Sequence, residues 1–594
     1  MGAFEQNGVQ GRARPGYTAP FMADLTPYPF DRLLTRMFDE LDAQGSIFDL
    51  PRRKFVVGLG DKDASVRFHS RVASTPLGPA AGPQSQMAQN IVLAWLGGSR
   101  IIELKTVQIL DELNIPRPCI DARNVGYNVE WSQELRLEQS LEEYVKAAML
   151  IEILQASEKL DLAPGFDNVI FDMSVGYDLK GIQSAQVRAF IEGLMDARPT
   201  IERLRSRIPP RFAQFRDLDF KTDLCHSLTL STFHGCPPDE IERIIDFLLH
   251  EYGLHCTIKL NPTLLGPERV RSILHDQLGY HHIHTPHAAF EQDATWEQVV
   301  AFVKTLKQTA DRLELGLGVK FSNTLIVENP GDFLPASERE MYLSGQPLHV
   351  LAMHLVRDFR RTFGTSIPVS FSAGIDRHNF ADAVALGLTP ITVCTDLLRP
   401  GGYARQSAYF DALCKRMDRA HARSIEQFIL SAYGHARKGL EQAGGVWTDQ
   451  IESALKSGMD VRTLVDEALL ARWVAAAIEL NTEHYVKSLA SDERYWQQSN
   501  ASTPKKIGRR LQLFDCLTCD KCIPVCPNDA NFALAVSPAT IPVVTLEKDH
   551  QGGWHAREEG VLELTQRHQI ANFADFCNEC GNCDVFCPED GGPY

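Results

Sequence analysis

The 594-residue sequence has no uninterrupted apolar run long enough to cross a bilayer, so no membrane-spanning helix is expected. Its first residues, MGAFEQNGVQGRARPGYTAP, lack the apolar core and cleavage site of a secretory leader, and the cytoplasm is the expected location. Gln6 stands where a myristoylation signal takes Ser or Thr, so lipid anchoring is not expected either. Cationic excess is missing: 60 Lys and Arg against 76 Asp and Glu leave a net charge of −16. That balance argues against a surface built for nucleic acid or anionic lipid, which requires clustered Lys and Arg. Also lacking is the dinucleotide loop G-x-G-x-x-G; GLG at 58–60 has no third glycine. What remains, with 44% apolar and 23% charged residues, is the composition of a soluble enzyme long enough for two or three packed units.

Cysteine is plentiful, but in a chain of this length fourteen of them do not read as a disulfide framework. Eight fall into two runs near the end of the chain. CLTCDKCIPVCP carries Cys516, Cys519, Cys522 and Cys526, and CNECGNCDVFCP carries Cys577, Cys580, Cys583 and Cys587. Each run is C-x₂-C-x₂-C-x₃-C-P, the spacing in which three thiolates wrap one cubane and the fourth reaches the second, so two [4Fe–4S] clusters are expected. The flanking residues FDCLTCDKCIPVCPND and DFCNECGNCDVFCPED read as copies of one unit. A pair of zinc sites, the alternative, needs four ligands in separated pairs and fits this spacing poorly.

Ahead of the cysteines, from about residue 65 to 405, β-rich runs alternate with helical patterns. The runs are RVAST, RIIELKTV, NVIFDMSV, SLTLSTF, CTIKLNP, GLGVKFSN, IPVSFSAG and PITVCTDL, the strand number of a closed (β/α)₈ TIM barrel in the α/β class. Met87, Ile91, Ala94 and Trp95 after the first run, and Ile241, Ile244, Ile245 and Leu248 after the fourth, recur at helical spacing. Pro237, Pro238 and Asp239 make a helix start. Barrels carry chemistry where strands end. There Lys105 and Lys259 are suited to an anionic or electron-rich ring, and the loops at Gly374 and Thr395 are where barrels bind phosphate.

The stretches GPAAGP, ELKTVQIL, STFHGCPPDEIE, KLNPTLLG and TDLLRPGGYAR resemble the strand ends of the FMN-binding dihydroorotate and dihydropyrimidine dehydrogenases. Nearly the whole chain is similar to a dihydropyrimidine-dehydrogenase-like iron–sulfur oxidoreductase family that carries the provisional name selenate reductase. The resemblance implies FMN as cofactor. It places Ala80, Ala81 and Gly82 against the flavin ring, Lys105 and Lys259 on the flavin or its ribityl chain, and Asn323 and Thr324 near flavin and substrate. Gly374, Cys394 and Thr395 would line the phosphate pocket. In the related dehydrogenases a Cys or Ser after this same fourth strand is the acid/base residue, which implies Cys236, with His234 as second choice. Chemically both suit delivery of a proton opposite a flavin hydride. A small buried cysteine is the alternative for Cys236, and Ser231 or Thr232 could face the flavin instead. Asp178 stands where the dihydropyrimidine dehydrogenases use Asn, which argues against a pyrimidine substrate.

The expected divisions are an amino-terminal extension (1–60) packing on the barrel, the barrel (61–405), a helical segment (406–505) and a ferredoxin-like module (506–594). The helical segment is expected to pack that module against the barrel mouth. The resulting expectation is an iron–sulfur flavoprotein oxidoreductase acting on a small substrate, which the kinship alone implies to be a heterocycle. The alternative is an electron-transfer scaffold between a reductase and another redox enzyme. Expected partners are an NAD(P)H-oxidising FAD reductase similar to the glutamate synthase small subunit, or a ferredoxin, in a homo- or hetero-oligomer.

Overall fold

The structure, a computed structural model, describes residues 25–594 apart from 111, 112, 114, 130, 131, 233 and 513. The first part of the expected amino-terminal extension, MGAFEQ included, lies outside the described residues. Eight strands form one sheet: β1 Leu77–Pro79, β2 Ile101–Glu103, β3 Ile170–Val175, β4 Cys225–Ser231, β5 His255–Leu260, β6 Leu317–Phe321, β7 Val369–Phe371 and β8 Ile391–Val393. They are hydrogen-bonded in the order β1-β8-β7-β6-β5-β4-β3-β2, every pair parallel. β1 and β2 come together at the seam, where the Arg100 N–H donates to the Leu77 carbonyl at 2.8 Å. A Cβ on Gly78 would stand 1.7 Å from the Ile101 carbonyl oxygen, so only glycine permits that approach.

Seven of the eight expected strands coincide with barrel strands. The first does not: Arg71–Ala73 pairs antiparallel with Val66–Phe68 in a separate hairpin, and LGP supplies β1 instead. Gly and Pro weaken strand propensity, whereas RVA carries a β-branched residue. Close backbone approach at the seam overrides that preference. β3 and β6 are buried along their length, as a parallel sheet covered on its outer face requires. The helix Pro238–Tyr252 buries Ile241, Ile244, Ile245, Leu248 and Leu249 on one stripe, begins with Pro and two acidic residues, and stops at Gly253 with φ 62°.

Over the strand ends lies a four-stranded antiparallel sheet of Leu325–Glu328, Glu340–Ser344, Gly126–Asn128 and Ile120–Asp121. The helical segment meets the barrel through its longest helix. It lies along the barrel flank: Glu467–Leu489 packs on Gln346–Phe363, Tyr485 Oη lies 2.9 Å from His349 Nε2, and the Gln497 N–H donates to Leu278 at 2.8 Å.

The cysteine-rich module is held by other residues. The Thr26 N–H donates to the Asp575 carbonyl (2.7 Å), the Tyr28 ring lies 5.2 Å from Phe573, and Arg36 of helix Phe30–Gln44 reaches Asp529 at 3.4 Å. At the mouth, Asn582 Nδ2 donates to the Leu398 carbonyl at 2.8 Å. Between the two cysteine runs an unforeseen hairpin, Ala539–Lys548 with Trp554–Leu564, pairs only with itself and leaves Leu546, Trp554 and Val561 exposed. Among the described residues no helix is long and apolar enough to cross a membrane.

Candidate functional site

A cavity of about 720 Å³ opens at the carboxyl ends of the barrel strands, beneath the antiparallel sheet. Its floor is charged because the barrel interior is charged. Lys259 of β5 and Lys320 of β6 stand opposite each other in register, and Lys105 follows β2. Glu103 of β2 is the counter-charge: its Oε2 accepts from Lys320 Nζ and from the Ala81 N–H at 3.1 Å. Burial pulls the Lys259 ammonium down to about 8, with Lys320 and Lys105 adding to that fall and Glu103 opposing it. Deeper, burial pushes Asp172 of β3 up to about 7 against hydrogen bonds from Ser227 (2.5 Å) and Thr229 (2.6 Å).

The sequence-expected cofactor residues converge on this cavity: Ala80, Ala81, Gly82, Lys105, Lys259, Asn323, Thr324, Gly374, Cys394 and Thr395 all line it. Gly374 has φ 52°, and a Cβ there would meet the Gly345 carbonyl oxygen at 2.4 Å. Beside it the Ser344 and Thr395 hydroxyls are 2.9 Å apart. Asn323 Nδ2 is committed to the Thr232 carbonyl (3.0 Å) and Asn261 Oδ1 (3.1 Å), which ties the ends of three strands together.

The two candidate proton donors separate. His234 lies on the cavity wall with Ser231, Thr232 and Tyr342. Cys236 does not; it faces a small void with Thr232, Ile241, Leu260, Asn261, Leu264 and Asp293. Burial, aided by Glu240 and Asp293, pushes its thiol up to about 12, which suits a protonated, packed side chain. Sequence reading missed Lys320, Glu103 and Asp293. Lys320 was signalled by VKF, which places a lysine where IKL places Lys259; Asp293 sits in a connection with no motif.

The eight clustered cysteines divide by space rather than by run. Burial pushes the Cys522 thiol up, and neighbouring Cys516, Cys519 and Cys587 thiols add to it. Burial likewise raises Cys583, with Cys526, Cys522 and Cys577 adding, and raises Cys580, with Cys119, Cys526 and Cys583 adding. Cys587 of the second run is thus among the neighbours of Cys522, and Cys526 of the first among those of Cys580 and Cys583. Among the described residues no three His, Cys, Asp or Glu side chains converge as one metal ion requires.

The second set touches the cavity wall. The Cys119 and Ile120 N–H groups both donate to the Cys580 carbonyl, at 3.1 and 3.2 Å, and Ile120 and Asp121 line the cavity. A parallel eight-stranded barrel with its cavity at the strand ends defines the α/β-barrel class, in which chemistry sits on that face. Residues 48–441 match the family described as oxidoreductase YgfK, N-terminal TIM-barrel domain, and the chain belongs to that family. Two relatives, from Escherichia coli strain K12 and Escherichia coli O157:H7, are each named "Putative oxidoreductase YgfK". Each is 41% identical over 413 residues, which is 65% of this chain and 38% of the relative. The match therefore spans well under half the length of those relatives.

Proposed function

We propose that this oxidoreductase-family chain is an FMN- and iron–sulfur-dependent enzyme, in which electrons pass between two [4Fe–4S] clusters and a flavin in the barrel cavity to reduce or oxidise a small heterocycle-like substrate. The observation that carries this reading is the contact of Cys580 with Cys119 and Ile120, since it brings a clustered cysteine to the cavity wall.

The cavity suits FMN on three counts. Its volume falls in the range of cofactor sites, about 300–1,000 Å³. At Gly82 a Cβ would stand 2.9 Å from Cys394 Sγ and 3.1 Å from Gln84 Oε1, so the absence of a side chain keeps that wall open. Among the described residues Glu103 Oε1 is buried without a hydrogen-bond partner, and Lys105, Lys259 and Lys320 line the cavity with cationic side chains, which suits an electron-rich ring and a phosphate. Ala80, Ala81 and Gly82 would hold the ring, Lys105 and Lys259 the ring and ribityl chain, and Gly374, Cys394 and Thr395 the phosphate. Asn323 and Thr324 would face the substrate side. When bound, FMN exchanges single electrons with clusters and electron pairs with substrate.

Cys516, Cys519, Cys522 and Cys587 would ligate one cluster, and Cys526, Cys577, Cys580 and Cys583 the other, the exchange of last ligands that the run spacing implies. Electrons would be exchanged with a cytoplasmic partner, an NAD(P)H-oxidising FAD reductase or a ferredoxin, at the cluster of the exposed Cys519.

Anaerobic purification, acid extraction of flavin and an iron and sulfide count test this reading. FMN with about eight irons, the content of two cubanes, supports it. Iron at that level without flavin favours an electron-relay scaffold; flavin without iron removes the relay.

A further inference from the structure

His234 follows β4 at the cavity wall, 12% exposed along its side chain, and its two ring nitrogens have partners of the same kind. Nδ1 lies 3.0 Å from Asp293 Oδ2, and Nε2 lies 3.2 Å from the Thr324 carbonyl oxygen. A carbonyl oxygen only accepts. The Asp293 carboxylate is already committed as an acceptor on both oxygens, taking the Gly235 N–H on Oδ1 and the Thr263 hydroxyl on Oδ2, each at 2.6 Å. A neutral imidazole has one N–H and one lone pair, so either tautomer would press a lone pair against one of these oxygens. The imidazolium satisfies both.

We infer that His234 carries a hydrogen on each ring nitrogen, that Asp293 is the positioning residue that holds it so, and that Nε2–H is the proton this cavity offers to a substrate. The surroundings agree. Burial alone would raise the Asp293 carboxyl, yet its hydrogen bonds from His234, Thr263 and Gly235 outweigh burial and hold it below the usual carboxylate range. Tyr342 stacks beside the ring at 6.2 Å between centroids and 9° between planes. Other charged or titratable side chains lining the cavity include Asp121, Tyr177, Asp178 and Glu340 together with Lys105, Lys259 and Lys320.

The use of that proton rests on the flavin reading above. In the reductive direction, a flavin held in the cavity would supply a hydride equivalent to one atom of a substrate double bond, and the other atom would need a proton. Nε2–H supplies it: the N–H bond breaks as the new bond to substrate forms. His234 is left neutral with Nδ1–H on Asp293, and solvent returns the proton. The 3.2 Å contact to Thr324 is long for a charge-assisted hydrogen bond, so a substrate atom displaces the carbonyl at small cost.

Nitrogen NMR of the full chain labelled at histidine, with His234→Gln identifying the signals by their loss, tests the protonation state without any turnover. At pH 7 both His234 nitrogens should show protonated shifts, and Asp293→Asn should produce a bare, pyridine-like nitrogen at this ring. A bare nitrogen in the unaltered chain overturns the inference, as does an Asp293→Asn chain in which both remain protonated. If that variant does not fold, the unaltered spectrum alone decides. The readout is taken on protein with and without flavin, so absence of FMN would sink the flavin reading and leave this one standing.

Discussion

The pair Glu103–Lys320 at the cavity floor gives the sharpest stability prediction. Both side chains are 2% exposed, and Lys105 and Lys259 line the same cavity as Lys320. Removing one partner of a buried ion pair typically costs about 3–5 kcal/mol, because the other charge is left buried and uncompensated. The two deletions should differ. Lys320→Met leaves Glu103 with the Ala81 N–H and the nearby Lys259 ammonium, so its cost should fall near ~3 kcal/mol. Glu103→Gln removes the carboxylate that Lys320 contacts from a floor lined by three lysines, and its cost should approach ~5 kcal/mol. The double variant should recover a large part of the summed loss, since neither orphan remains. Urea midpoints of the four proteins, followed by circular dichroism under one protocol, give the cycle. A Lys320→Met chain within ~0.5 kcal/mol of the parent, the range of ordinary surface changes, would refute the reasoning, as would single losses that simply add.

Lys259 makes a pH prediction. Its folded value of about 8 lies below the reference 10.5, so below pH 8 both states are protonated and the burial cost is fully present; between 8 and 10.5 the unfolded chain binds more protons and stability rises with pH. The stability difference between the parent and Lys259→Met should therefore shift in the parent's favour by on the order of 3 kcal/mol from pH 7 to 10.5, and a constant difference would contradict it. Gly402→Ala probes the docking of the cysteine-rich module: φ is 46° and the new Cβ would lie 2.2 Å from the Pro524 carbonyl oxygen. Left-handed backbone at about 1–2 kcal/mol and overpacking at about 1–3 kcal/mol should loosen residues 506–594, seen as faster proteolysis there with the barrel intact. Unchanged proteolysis would mean that this contact does not hold the module. Cys587→Ser should deplete the cluster of Cys516, Cys519 and Cys522, and Cys526→Ser the other; loss of one and the same paramagnetic signal in both variants would contradict the exchange of last ligands.

Sequence periodicity located seven barrel strands because parallel strands buried on both faces read as dense apolar runs such as NVIFDMSV and SLTLS. It failed at LGP, where backbone proximity to Ile101 selects glycine against strand propensity. Cavity residues were legible where a strand end carries an unusual side chain, as at Lys105 and Lys259. Asp293 was not legible, since it lies some sixty residues from His234 and only the fold joins them. Cys236 and His234, two residues apart, could not be told apart in sequence; the turn through Gly235, φ 83°, sends one behind the wall and leaves the other on it. The helical segment read correctly as helix, but its docking face depends on contacts such as His349–Tyr485 that periodicity does not encode.

The central claim is that electrons cross from the thiol set at Cys580 to a flavin behind Ile120. Its most direct test is photoreduction of the clusters in anaerobic, FMN-containing protein while the flavin absorbance is followed. The account predicts flavin reduction at a rate independent of protein concentration, as transfer within one chain requires. A flavin that stays oxidised beside reduced clusters, or that reduces only in proportion to protein concentration, would contradict it.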